Sequence, residues 1–244
     1  MKITRMEVFP IGMAYAKPYV QATGVTEMAR RVILKLYTNE GIVGLGEAST
    51  LLPNRTGESA HVITVALTQH LGPLLIGEDP FRIQHIWQKL RKASMDQYGF
   101  LYSKAAIDIA LHDIVGKALN VPVADLLGGI VRTSFGVSRS VPLAPPREVA
   151  KAAEKLVKAG YKMITVKAGL DPEADLKRVA AVRVAVGEDF PVEIDANQGY
   201  RADAAVQVIS KMEDRYGIVN VEQPCPWWDI TGMAEVAGQI KATV

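Results

Sequence analysis

Cysteine is almost absent: Cys225 stands alone in 244 residues, so an intramolecular disulfide is excluded. That fits a reducing compartment. Histidine is scarce as well, and His61, His70, His85 and His112 all lie in the first half. None has metal-ligand spacing, and no Glu-flanked zinc helix motif is present. Cys225 has no histidine near it in sequence, so it is not expected to be a nucleophile. No long uncharged apolar run occurs, and Met1-Lys2-Ile3-Thr4-Arg5 lacks the apolar core of a signal peptide. Neither a membrane partner nor export is expected, which makes the expected compartment cytoplasmic. An excess of one charge is missing too. Basic and acidic residues are interspersed and leave a net charge of only +2, which gives no footing for nucleic acid. Gly44-Leu45-Gly46-Glu47 lacks the further glycines of a phosphate loop and sits in an antiparallel context.

What is present is a rhythm. Ile164-Thr165-Val166-Lys167, Val192-Glu193-Ile194-Asp195-Ala196-Asn197 and Ile218-Val219-Asn220-Val221-Glu222-Gln223-Pro224 are short apolar runs that end on a chargeable residue. Lys167 and Asp195 are 28 residues apart, Asp195 and Glu222 are 27 apart, and helix-like sequence fills both gaps. Repeated βαβ units of a parallel sheet have this spacing. In a (β/α) barrel the functional groups sit at the C-terminal strand ends, so one amine and two carboxylates are expected to line one mouth.

The first part of the chain reads differently. Residues 3–11 predict a strand, 12–27 a long loop, and 29–38 and 42–46 a hairpin turned by Asn39-Glu40-Gly41. A second loop is expected around Pro53-Asn54-Arg55-Thr56-Gly57. Helical patterns follow near 59–71, after Pro80, and over 102–119, where Ala105, Ala106, Ile109 and Ala110 have close-packing spacing. Residues 1–125 therefore predict an α+β domain, with a connection at Leu126-Leu127-Gly128-Gly129. Residues 126–244 predict four βα units: strands at 135–143, 161–167, 192–195 and 218–222, and helices at 146–159, 172–186, 202–212 and 229–240. A complete barrel needs about 250 residues, and only 119 follow residue 125. The expectation is the first half of a TIM-like (β/α) barrel, with a fifth strand starting in Lys241–Val244. A half-barrel pairing with itself and an unrelated small α/β sheet are the alternatives.

Two carboxylates on neighbouring strands repel, and a hard divalent cation relieves that repulsion. Mg2+ suits oxygen ligands and keeps positions for substrate oxygens. Asp195 and Glu222 are the candidate ligands and Lys167 the candidate base, its pKa lowered by the cation and by burial. The plainer alternative is a buried Lys167–Asp195 ion pair. Asn197 either orients Asp195 and its waters or caps the loop. Trp227 and Trp228 either shape an apolar part of the pocket or cover the strand ends. In the 12–27 segment, Lys17 and Tyr19 are candidate substrate contacts, although a solvated lysine is the ordinary reading of Lys17.

Five stretches then carry a resemblance by their order and spacing. They are residues 39–47, Ser103 to Asp113, Pro122 to Gly129, Glu193-Ile194-Asp195-Ala196-Asn197 and Val221-Glu222-Gln223-Pro224. Together the sequence resembles the enolase superfamily, in the mandelate racemase and muconate lactonizing enzyme branch. The resemblance implies an N-terminal α+β capping domain, whose loops near 12–27 and 48–60 carry specificity, over a modified (β/α) barrel. It implies one Mg2+ on three acidic residues, of which Asp195 and Glu222 are the first two, and a small carboxylate substrate in a homo-oligomeric enzyme. The shared step is removal of the proton alpha to the carboxylate, giving a metal-stabilised enediolate. Racemisation, epimerisation, cycloisomerisation or dehydration follows. Two departures stand out. The branch shows Lys-x-Lys where this chain has Thr165-Val166-Lys167, so one positive charge is missing. The third ligand is expected roughly 25 to 28 residues after Glu222, by the strand rhythm, and so beyond Val244. A catalytically incomplete fragment or self-associating half-barrel is the alternative.

Overall fold

The structure is a computed structural model that describes residues 1–50, 58–94 and 99–244. Its contacts divide the chain into two units, Met1–Lys17 with Thr26–Thr133, and Pro18–Val25 with Ser134–Val244. No helix among the described residues is long and apolar enough to cross a membrane.

The first unit is built on a three-stranded sheet ordered β1 (Ile3–Gln21), β2 (Gly24–Thr38), β3 (Val43–Thr50). The expected hairpin is there: β2 and β3 pair antiparallel from Arg30↔Thr50 to Tyr37↔Val43. Gly41 takes φ 78° in the turn, a conformation that favours glycine. The 12–27 loop is corrected. Strand runs through it, broken only at Ala22 and Thr23. Gly12, Pro18 and Gly24 argue for a loop, but Gly12 and Pro18 lie on β1, an edge strand, where a residue without an amide proton forfeits no ladder bond, and Gly24 opens β2. Of the expected 48–60 loop, Ala48–Thr50 belongs to β3 and residues 51–57 lie outside the described residues.

Helix α1 (Ala60–Val65) is capped by Ser59, whose Oγ accepts from the Val62 amide at 3.2 Å. It is followed by α2 (Ile83–Ala93), α3 (Leu101–Leu119) and the short α4 (Val123–Leu126). Val32, Leu34 and Leu36 of β2 alternate into the core with Ile63, Leu67, Ile86, Leu90, Ile107 and Leu111. The small residues on α3 have a definite use. A Cβ on Gly46 would stand 1.9 Å from the Ala106 carbonyl oxygen, and one on Gly44 would stand 2.3 Å from that of Ala110. Gly44 and Gly46 thus bring β3 against the α3 backbone, which is why the pair occurs without any phosphate-binding role.

The second unit carries a parallel sheet ordered β4 (Ser138–Val141), β5 (Met163–Lys167), β6 (Val192–Asp195), β7 (Asn220–Glu222). Helices α5 (Pro146–Lys158), α6 (Pro172–Val186) and α7 (Ala202–Tyr216) connect these strands, and α8 (Ile230–Gln239) follows β7. β4 is shorter than the expected 135–143, and Phe135 is exposed. Asp171 caps α6 by accepting from the Glu173 and Ala174 amides at 2.9 and 3.1 Å, with Pro172 at the first helical position. Thr243 bridges Asn220 in parallel sense, with its amide donating to Val219 and its carbonyl accepting from Val221. That is strand-like pairing in the stretch where a fifth strand is expected.

The glycine contacts give a test. Gly46→Ala is expected to destabilise the chain by about 2 kcal/mol or more, because the obstacle is helix backbone that no rotamer change can move. Urea denaturation reads it, and an unchanged midpoint would refute the close β3–α3 packing.

Candidate active site

The parallel register builds the site. Lys167 pairs with Asp195 and Asp195 with Glu222, so the three occupy one row across three adjacent strands. Neighbouring strands lie about 4.8 Å apart, and residues in register project to the same face. Two residues earlier a second row is formed by Ser140, Thr165, Glu193 and Asn220, and Ser138 lies two residues before Ser140 on the same face. The polar residues thus share one face. The other face carries Val141, Ile164, Val166, Val192, Ile194 and Val221, all buried in a core with Val149, Val179, Val182, Ile209 and Val236.

In the first row Lys167 and Asp195 form a buried ion pair, 7 % and 1 % exposed. The bland alternative is therefore present, but it does not stand alone. Asn197 sits at φ 47°, the left-handed region, and folds back over Asp195. Its amide donates to Oδ1 at 2.8 Å, and its Nδ2 donates to Oδ1 and Oδ2, each at 2.7 Å. Asn197 thus orients Asp195. Its own Oδ1 is buried with no hydrogen-bond partner, and a buried acceptor in that state needs a donor. Glu222 ends β7 on the same row and is exposed.

Burial works to lower the Lys167 pKa, but the hydrogen bond and charge of Asp195 outweigh it. Smaller contributions from Tyr19 and Glu222 act in the same direction, and the net shift is upward. The expected lowering thus needs more than burial. As the pair stands, Lys167 is held as an ammonium.

The second row is a hydrogen-bonded chain that the sequence reading missed. Thr165 donates to Glu193, Ser138 Oγ is 2.8 Å from Thr165 Oγ1 and 3.1 Å from Glu193 Oε1, and Asn220 Nδ2 reaches Glu193 Oε2 at 3.5 Å. Thr165 is therefore tied to a carboxylate beneath the first row. The available signal was the alternation Ser138-x-Ser140, Thr165-x-Lys167, Glu193-x-Asp195, Asn220-x-Glu222.

The remaining expected residues are placed as follows. Trp227 follows β7 with its indole largely exposed, and its amide donates to Gln198 Oε1 at 2.9 Å. Tyr19 belongs to the same unit as the row, whereas Lys17 is exposed in the other unit. Cys225 is buried, and burial pushes its thiol pKa up, consistent with an inert side chain.

Among the described residues no group of three His, Cys, Asp or Glu is placed to hold a metal. The donor chemistry nonetheless fits a hard cation in part. Asp195 and Glu222 offer carboxylate oxygens in one row, and Asn197 adds an orphaned acceptor beside them. The polar face carries three carboxylates against one ammonium, a surplus of negative charge that a divalent cation would balance.

The chain is similar to known proteins along most of its length. Residues 3–128 match the mandelate racemase / muconate lactonizing enzyme N-terminal domain, and residues 148–244 match the enolase C-terminal domain-like family. The N-succinyl-L-Arg/Lys racemase of Bacillus cereus is 35% identical over 97% of this chain and 63% of its own length. The hydrophobic dipeptide epimerase of Enterococcus faecalis is 33% identical over 100% of this chain and 67% of its own. A chloromuconate cycloisomerase of Delftia acidovorans is 33% identical over 93% and 60%. The chain thus spans 60% to 67% of the length of these relatives. Among solved structures, the Bacillus cereus racemase superposes with a TM-score of 0.93 at 33% identity, over 99% of this chain and 64% of that one. The Enterococcus faecalis dipeptide epimerase, complexed with Mg and the dipeptide L-Leu-L-Tyr, gives 0.92 at 33% identity, over 99% and 66%.

The ion pair predicts a pH-dependent stability. Lys167→Met leaves Asp195 buried without its ammonium and is expected to cost roughly 3 kcal/mol at pH 7. The folded pKa of Lys167 is raised, so its contribution is complete below the unfolded value of about 10.4 and is lost as pH climbs through the higher folded value. Urea denaturation of parent and variant should therefore converge only in the alkaline range. Convergence already at neutral pH would contradict the pairing.

Proposed function

Because the chain belongs to the mandelate racemase / muconate lactonizing enzyme branch of the enolase superfamily, we propose that it serves an isomerase or lyase. The reaction removes the proton alpha to the carboxylate of a small substrate. Racemisation, epimerisation and cycloisomerisation, which relatives carry in their names, and dehydration all accommodate that first step. The observation that carries the reading is the single row Lys167–Asp195–Glu222 on the polar face of the parallel sheet. We also infer that this sheet is part of a (β/α) barrel, an inference the parallel Asn220–Thr243 bridge supports.

In this reading Asp195 and Glu222 would hold Mg2+. When bound, it would supply positive charge opposite the charge that develops on the substrate carboxylate, and it would compete with Lys167 for Asp195. Lys167 is the base. Its amine must be neutral to take a proton, and Asp195 keeps it charged until that carboxylate is shared. Asn197 holds Asp195 in one orientation through both oxygens. Thr165 and Glu193 form the floor below the base, with hydroxyl and carboxylate where a second ammonium is usual in the branch. Tyr19 and Trp227 are proposed to bound the substrate.

The test is alpha-proton exchange into D2O over a broad panel of small carboxylates, including N-acylated amino acids, dipeptides and muconates, with and without Mg2+. Lys167→Ala should lower the rate by about a hundredfold or more and retain or raise Mg2+ affinity, because the ammonium that competes for Asp195 is gone. The rate should rise with pH, because the neutral amine is required, and added Mg2+ should move that rise to lower pH. No Mg2+-dependent exchange on any substrate would overturn the reading. The two-carboxylate set favours one competitor, a catalytically incomplete site. It predicts that calorimetric Mg2+ binding is absent or unaffected by Asp195→Asn.

A further inference from the structure

Tyr200 lies outside both polar rows, yet it is 4 % exposed and hydrogen-bonded at both ends. Its hydroxyl donates to Asp175 Oδ2 at 2.5 Å, and its backbone amide donates to the Pro224 carbonyl at 3.0 Å. Asp175 is fully buried in the first turn of α6. Its Oδ2 also accepts from the Gly169 amide at 3.0 Å, and its Oδ1 pairs with Arg178. Tyr200 itself stands in the segment after β6. It is thus joined through Asp175 to the segment after β5 and through Pro224 to the segment after β7. Those three segments directly follow Lys167, Asp195 and Glu222.

The packing between them leaves little slack. A Cβ on Gly169 would lie 2.1 Å from the Ala196 carbonyl oxygen, and one on Gly199 would lie 2.0 Å from that of Gly169. Gln198 donates its amide to the Gln223 carbonyl at 2.8 Å. Asp175 is not spent on capping, since Asp171 already caps α6. Burying a carboxylate is costly unless it is paired and hydrogen-bonded, and here its bonds run to the segments that aim the site. Burial and the nearby Asp175 push the Tyr200 phenol pKa up, so its hydroxyl remains a donor at working pH.

We propose that Tyr200 is a positioning residue which, through Asp175, locks the segments after β5, β6 and β7 and so fixes Lys167, Asp195 and Glu222 relative to one another. The functional consequence rests on the proton-abstraction reading above; the locking does not. The test compares the full chain with Tyr200→Phe, which keeps the ring and removes only the hydroxyl. Amide hydrogen exchange by NMR should quicken about tenfold or more at both Gly169 and Gln198, with Val166 and Ile194 unchanged, as expected when a bond to a charged partner is lost locally. Unchanged exchange at either position, or uniform acceleration including the strands, would overturn the proposal. Asp175→Asn, which keeps an acceptor oxygen, should give a smaller effect at the same two amides. Where a substrate turns over, Tyr200→Phe should lower kcat and hold KM within about twofold. An unchanged kcat would overturn the proposal. If neither protein turns over any substrate, the functional reading fails and hydrogen exchange alone decides the locking.

Discussion

The register of the parallel ladder from β5 to β7 is the constraint on which the site depends. Side chains on a strand alternate between faces, so slipping one strand by a single residue would turn its polar set into the helix-packed core. The apolar face resists that slip. Val141, Ile164, Val166, Val192, Ile194 and Val221 are buried together, and exposing all six would cost on the order of 10 kcal/mol. Bonds just past the strands extend the same register. Ala168 donates to the Asp195 carbonyl at 2.9 Å and Ala196 to that of Glu222 at 3.1 Å. Hydrophobic burial on one face thereby aligns an amine and two carboxylates on the other.

That alignment carries an electrostatic conflict. Asp195 supports the charged form of Lys167, so the carboxylate that completes the proposed site also disables the proposed base. Asp195 already accepts from Lys167 and from Asn197 through both oxygens. Any cation at Asp195 therefore acts on Lys167 without touching it, by withdrawing part of the charge that keeps the amine protonated. Burial works in the same direction but is too weak alone.

Much of this was legible in the sequence, for identifiable reasons. β6 (Val192–Asp195) and α6 (Pro172–Val186) have the bounds that their apolar runs and Pro172 predict. The pairing of Asp195 with Lys167 follows from strand spacing alone. The 12–27 stretch misled because Gly12 and Pro18 are breakers in a central strand and harmless on an edge, and edge position is a property of the sheet. Glu193 was missed because it stands between two apolar residues in a run read as apolar up to its final carboxylate. Tyr200 and Asp175 were missed because a loop tyrosine and a first-turn aspartate have ordinary local roles, and only the fold brings them to 2.5 Å.

The substitution at residue 165 looks different once the second row is visible. Read alone, Thr165 removes a positive charge and leaves a weaker site. In the sheet it donates to Glu193, which also takes Ser138 and lies near Asn220. A lysine at residue 165 would place an ammonium beside Glu193, and the two charges would offset one another. With threonine there, Glu193 is met by neutral donors, and Lys167 is the sole ammonium on the polar face of β5 to β7. The change therefore makes the face more negative by the one charge a lysine would have carried. A more negative face favours a divalent cation and disfavours the neutral amine.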